Sequence, residues 1–391
     1  MVRWMFPPAS GRTASPTAPA QTSPTTRAPE LRASGSPAAE GAGDSRAKPR
    51  DPFLDNVKFL TILLVGLGHA WAPLTGENRS IAALYLFVYA FHMPAFVLVS
   101  GYLSRSFEAR PGQVRRLITG VAVPYAVFEV VYTLFMRQIA DPDRPLSFFS
   151  PGYALWFLVA LFIWRLTAPV WKLLRWPLPV ALAVAAVASA TPGIGGELNL
   201  MRVLQFLPFF VLGLHLRREH FDLVRTRTAR LVAAPVALGF LAFAYWAAPA
   251  MDDEWLLHTS SAQELGAPWW AGPVMTLAIF GCALALTACL VAWTPGRTTW
   301  FTALGAGTIF AYLLHVYLIQ AAREFDWYAL SGADTPLGHL VISVLALVMM
   351  TALCAAPVRR LFRPVVEPRM DWFFRDTPGK TSPERVNATA R

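Results

Sequence analysis

The sequence predicts an all-α, polytopic integral membrane protein of about ten transmembrane helices, with both termini cytoplasmic. Three observations predict it. Hydrophobic residues make up 55% of the chain and charged ones only 15%, with a mean hydropathy of +0.43, which is too apolar for two or three soluble domains. The apolar residues come in repeated blocks longer than strands or ordinary core helices. The basic residues crowd into alternate loops between those blocks. Soluble dinucleotide-binding enzymes, secreted disulfide scaffolds and disordered regulators are thereby excluded.

Residues 1–50 are rich in Pro, Ala, Ser, Thr, Gly and Arg, with almost no aliphatic clusters after Phe6. Such a stretch cannot bury enough surface to fold and is expected to be a disordered cytoplasmic tail. It also lacks the apolar core of a signal peptide. Ten apolar segments follow, at 57–74, 81–103, 114–135, 153–173, 178–192, 202–216, 231–249, 271–293, 299–320 and 339–358. The fifth and sixth fall short of the ~20 helical residues that a ~30 Å hydrocarbon core requires. The chain turns polar again near its end, so 51–360 is expected to form the membrane domain and 361–391 a second cytoplasmic tail.

The net charge of +10 does not point to nucleic acid, because the basic residues are spread over loops and form no single stripe. Within about 20 positions of a segment end, a cytoplasmic N-terminus puts twenty Lys and Arg residues inside. Only Arg79, Arg137, Arg144, Arg202 and Arg323 fall outside. An odd number of crossings would scramble that alternation. Cys282, Cys289 and Cys354 show neither CxxC nor Cys/His spacing, so neither disulfide nor metal site is expected.

Ionisable residues inside spans are costly and mark functional positions. Here they are Lys58, His69, His92, Glu129, Arg165 and His315. Lys58 and His69 are eleven residues apart, about three helical turns, so both project from one face roughly 16 Å apart in depth. Asp55 lies one turn before Lys58 and can pair with it. His92 lies eleven residues above the inner end of the second segment, at the depth of His69, so the two can meet across antiparallel helices. Pro94 is expected to kink that helix and free a carbonyl one turn earlier. Ser100-Gly101 suits close helix packing. Glu129 and Arg165 are expected to pair across the third and fourth segments. No glycine-rich phosphate loop is present, so any cofactor must bind in the membrane domain or on its cytoplasmic rim.

Five stretches occur in the order found in one family. They are Asp55-Asn56-Val57-Lys58 with Gly68-His69, Phe91-His92-Met93-Pro94 with Ser100-Gly101-Tyr102, Leu155-Trp156-Phe157-Leu158, Leu207-Pro208-Phe209-Phe210-Val211-Leu212-Gly213, and Tyr312-Leu313-Leu314-His315. Over residues 51 to 360 the chain resembles the acyltransferase-3 membrane O-acyltransferases, most closely the branch related to fucose 4-O-acetylase. The resemblance implies transfer of an acyl group, most often acetyl from acetyl-CoA, to a hydroxyl of a sugar or envelope glycan, with His69 as the essential catalytic residue. The family more often carries Arg where this chain has Lys58. It also carries Asn-Ser after Leu-Gly where this chain reads Leu304-Gly305-Ala306-Gly307-Thr308.

A neutral imidazole can accept the proton of a hydroxyl as that oxygen attacks a thioester, which gives His69 the role of general base with His92 beside it. Lys58, Arg115 and Arg116 are placed to receive the phosphates of coenzyme A. Trp156, Arg202 and His315 are expected to line an acceptor opening on the outer side. The expected partners are acyl-CoA, a glycan hydroxyl and the lipid bilayer of the cell membrane, with no metal. A proton-coupled transporter using Lys58, His69, His92 and Glu129 as a relay is the alternative reading.

Overall fold

Asp51 starts the first helix. Its carboxylate accepts the Phe53 N–H at 3.0 Å, Pro52 fills the first helical position, and α1 runs Pro52–Trp71. The computed structural model describes residues 51–76 and 78–375. The expected N-terminal tail, 1–50, and residues 376–391 lie outside the described residues.

The remaining helices follow in order: α2 Arg79–Tyr89, α3 His92–Leu103, α4 Pro111–Leu117, α5 Val123–Ile139, α6 Trp156–Leu173, α7 Pro177–Ser189 and α8 Leu200–His215. Then come α9 Arg218–Leu223, α10 Arg227–Ala247, α11 Glu254–Leu257, α12 Ala271–Trp293, α13 Thr308–Glu324, α14 Pro336–Leu353 and α15 Ala356–Val366. Among the described residues no strand occurs. Among the described residues, nine helical stretches are long and apolar enough to cross a bilayer, counting α2 with α3 and α4 with α5 as single passes. The fifth apolar segment is the exception: α7 has 13 residues, about 20 Å by helical rise. Its alanine-rich surface lets neighbours approach closely, and a Cβ on Gly272 of α12 would lie 2.5 Å from the Ser189 carbonyl. The sixth segment gains an extra turn, Glu197–Asn199, ahead of α8.

Polar contacts sort the helix ends into two faces. On one, Asn56 donates to the carbonyls of Pro295 and Arg297, Arg105 to that of Leu216, and Lys172 to that of Arg105. On the other, Arg79 donates to the Tyr245 carbonyl and Gln263 to that of Ala190. The Ser189 carbonyl there accepts the Ala262 N–H, so α7 joins the two faces despite its length. The first is hereafter the basic face, because most of the loop cations gather on it.

Two prolines shape the passes. Pro94 supplies no N–H to the Ala90 carbonyl and its ring crowds that carbonyl. The second pass therefore breaks at Ala90–Phe91, which sets Tyr89 at the end of α2 and His92 at the start of α3. Pro124 does the same to the third pass, which absorbs the strain in a wide turn over Ile118–Ala122. Gly101 of α3 and Gly213 of α8 bring two backbones together. A Cβ on either would lie 2.2 Å from a carbonyl oxygen of the other helix, Phe210 or Leu98.

The stretch beginning at 361, expected to be a tail, instead continues α15 to the buried Val366, and Asp371 pairs with Arg115. Its residues are polar on average, yet as a helix they present an apolar edge, including Phe362, to the bundle.

Candidate active site

A cavity of ≈330 Å³ opens between the helices on the face opposite the basic one. Its walls carry His69 from α1, Tyr85, Tyr89 and His92 from the broken second pass, Trp156 from α6, Arg202 from α8 and Arg323 from α13. Asp253, Leu256 and Leu257 close its rim from the loop between α10 and α12.

His69 is the focus of its polar contacts. Its Nδ1 lies 2.9 Å from the Tyr153 hydroxyl and 3.3 Å from the Tyr89 hydroxyl. Gly68, the residue before it, has no side chain where one would meet the Tyr89 ring at 2.8 Å, so that ring can lie flat against α1. Tyr85 stacks on Tyr89 with ring centres 4.0 Å apart and donates to the Asp253 carboxylate at 2.9 Å. A polar run therefore leads from the rim at Asp253 inward to His69.

Tyr153 is presented by an unusual turn. Its backbone sits in the left-handed region, with φ 43°, a conformation that costs a non-glycine residue energy and needs support. The support is Glu129, whose carboxylate accepts the N–H of the preceding Gly152 at 2.8 Å in a fully buried contact. Burial pushes the Tyr153 phenol up to about 12, with the nearby Arg323 guanidinium acting in the opposite sense. The hydroxyl is thus a proton donor at neutral pH. Glu129 and Arg165 do not pair as expected. Arg165 donates instead to the Ser104 hydroxyl at 3.1 Å, because α5 and α6 hold the two residues toward opposite faces.

His92 and His69 do not meet directly. The Tyr89 ring stands between them, its centre 4.7 Å from that of His92 and 6.1 Å from that of His69. His92 Nδ1 donates to the Val88 carbonyl at 2.9 Å, beside the Pro94 break. His315 is fully buried and lies behind His69, ring centres 5.3 Å apart, instead of on the cavity wall. Its Nδ1 bonds the Ala311 carbonyl at 3.0 Å, which assigns Nε2 as the lone-pair atom. Among the described residues, Nε2 is a buried atom without a partner.

Arg202 holds its place by donating to the Leu257 carbonyl at 2.9 Å and by lying 5.1 Å over the Trp156 ring. Trp156 in turn stacks on Phe206. Next to Leu257, His258 is buried against Phe206 and bonded to Gln205 at 2.7 Å, and burial pushes its imidazole down to about 3.

The three cations expected to take coenzyme phosphates lie on the basic face, away from this cavity, and each has a partner within the chain. Lys58 pairs with Asp55 at 2.7 Å, Arg115 with Asp371, and Arg116 donates to the Gly112 carbonyl at 3.2 Å. Tyr85, Tyr89, Tyr153, Asp253 and Arg323 line the cavity without having been expected at the site. One signal was available: Tyr85, Tyr89 and His92 follow i, i+4, i+7 spacing, which marks one helical face.

Fold and site together define a polytopic membrane protein that keeps an imidazole among hydroxyl and guanidinium groups inside a half-open chamber. The chain belongs to the acyltransferase-3 family, whose acyltransferase domain matches residues 51–359. It is similar to the nodulation protein NolL of Sinorhizobium fredii, being 26% identical over 199 residues that cover 45% of this chain and 51% of that protein. The match therefore spans about half the length of this curated relative. No solved structure matches the chain.

Proposed function

We propose that the protein transfers an acetyl group from acetyl-CoA to a hydroxyl of a sugar or envelope glycan at the cell membrane, with His69 as general base. The observation that carries this reading is the arrangement of Tyr89 and Tyr153 hydroxyls around His69 Nδ1 in a cavity lined with polar groups. These contacts mark the direction in which an acceptor hydroxyl can address the imidazole. The two hydroxyls at Nδ1 can both donate to it, which favours a His69 tautomer with its proton on Nε2 and its lone pair on Nδ1.

In the reaction, His69 Nδ1 removes the acceptor proton while that oxygen bonds to the thioester carbonyl carbon. The carbon–sulfur bond then breaks, and the imidazolium returns the proton to the leaving thiolate. No covalent enzyme intermediate is needed. Tyr89 and Tyr153 can each donate to the oxyanion that forms. His92 supports Tyr89 from behind. The remaining wall suits a polyhydroxylated acceptor, with Trp156 as a stacking surface and Arg202, Arg323 and Asp253 as hydrogen-bonding groups.

Under this reading the basic face is cytoplasmic, which agrees with the distribution of Lys and Arg. The donor enters there, past Lys58, and the acceptor enters from the opposite face. Thiol release from acetyl-CoA by purified protein, with and without candidate glycans, tests the activity. His69→Ala should lower acceptor-dependent release by roughly 10²–10⁴-fold, the usual contribution of a general base, with unchanged elution on size exclusion. Near-normal turnover of a folded His69→Ala protein rules out the base.

A further inference from the structure

The basic face holds a second group of cations, distinct from the three considered for the coenzyme. We propose that Arg225, Arg230 and Arg297 form a binding site for a phosphate-bearing ligand at the foot of α1. A cavity of ≈540 Å³ lies among these three arginines, Trp293, Pro295 and Gly296.

Charge and hydrogen bonding there are unbalanced. Asp222 lies 3.5 Å from Arg225 but is shared with Arg218 at 3.9 Å. Among the described residues, Arg230 and Arg297 have no carboxylate within 4.0 Å. Arg225 is largely enclosed, with its side chain 15% exposed and its guanidinium 4.4 Å over the Phe53 ring. Its Nε is buried and, among the described residues, without a hydrogen-bond partner. Cations gathered in one pocket repel one another, and a multiply charged anion relieves that repulsion. Arginine forks suit phosphate oxygens in particular.

Local structure keeps the pocket open and its arginines aimed. A Cβ at Gly296 would lie 1.9 Å from Arg225 Nη2, so the bare glycine makes room for the guanidinium. Arg230 is anchored by donating from Nε to the Ala292 carbonyl at 3.0 Å. The loop that carries Arg297 is tied to the active-site helix, since Asn56 of α1 donates to the carbonyls of both Pro295 and Arg297. Asn56 lies thirteen residues below His69 on α1, about 20 Å by helical rise. A phosphate in this pocket therefore lies against the loop that Asn56 holds to the foot of α1, the helix that carries the base.

Two sources supply such a phosphate. One is the 3′-phosphoadenosine diphosphate end of the acyl donor, which rests on the function proposed above. The other is the headgroup of an anionic phospholipid, for which the exposed Trp293 at the rim provides an interfacial anchor. The test uses the full-length protein in nanodiscs of phosphatidylcholine alone or with phosphatidylglycerol, and adenosine 3′,5′-bisphosphate as the soluble probe.

The Arg225→Gln, Arg230→Gln, Arg297→Gln triple variant is compared with Gly296→Leu, which keeps all three charges but fills the cavity. A donor site predicts that both variants bind the bisphosphate about tenfold or more weakly. A lipid site predicts unchanged bisphosphate binding and loss of phosphatidylglycerol retained in native mass spectra. If the triple variant does not fold, Gly296→Leu carries the comparison. Unchanged binding of both ligands in a folded variant overturns the proposal. Binding is read without turnover, so a protein that binds the bisphosphate here but releases no thiol leaves this site standing and removes only the enzymatic reading.

Discussion

Removing the Glu129 carboxylate separates a positioning role from a proton-carrying one. Glu129 is 1% exposed, and its one hydrogen-bond partner among the described residues is the Gly152 N–H at 2.8 Å. That bond holds the turn in which Tyr153, at φ 43°, reaches His69 Nδ1. Glu129→Ala leaves a buried N–H unpaired, which costs about 1–3 kcal/mol. It also frees a left-handed residue that stores about 1–3 kcal/mol of strain. A shift of 1–3 kcal/mol away from the productive turn lowers its relative population roughly 5–150-fold, and kcat should fall by a factor in that range.

Glu129→Gln keeps an oxygen that accepts the same N–H and loses mainly the charge assistance, about 1 kcal/mol, or about fivefold in kcat. Tyr153→Phe should resemble Glu129→Ala, and the double variant should be little worse than either, because both act on one contact. Acceptor-dependent thiol release at saturating acetyl-CoA reads all four proteins, with elution on size exclusion as the control for folding. A relay that needs a titrating carboxylate would instead make Glu129→Gln as damaging as Glu129→Ala. That outcome, or additive losses in the double variant, would refute the reasoning.

Lys58→Ala should raise the KM for acetyl-CoA with a smaller effect on kcat, while Lys58→Arg retains much of the affinity; unchanged donor affinity in titration calorimetry removes Lys58 from the donor site. His258 is buried neutral, its imidazole pushed down to about 3. As pH falls from the unfolded value near 6.5 toward 3, protonation favours the opened loop, at up to ~1.4 kcal/mol per pH unit. Protease resistance of the 248–270 loop should therefore decline over that window in the wild type but not in His258→Gln. In sealed, oriented proteoliposomes with acetyl-CoA on the basic face, an impermeant glycan should be acetylated only from the opposite face. Acetylation restricted to a glycan on the basic face would show that the acceptor shares the donor's entrance.

Hydropathy and helical period are properties of a short stretch of chain, and they located the ten apolar segments, the alternation of basic loops and the shared face of Lys58 and His69. The resemblance of motifs singled out His69 before any geometry was known. Glycine beside Ser100 signalled close packing, and Gly101 meets Gly213 across two helices as that predicts. The partners of the buried polar groups were decided only in three dimensions. Glu129 faces a backbone N–H instead of Arg165, Tyr89 separates the two histidines, and His315 stands behind His69 instead of lining the cavity. A hydroxyl or carboxylate in an apolar span must find a partner. Which partner it finds depends on how neighbouring passes are rotated and where they break. Tyr153 could not be read as part of the site for that reason: its role comes from a strained turn fixed by a carboxylate 24 residues earlier, a contact that only the folded chain creates.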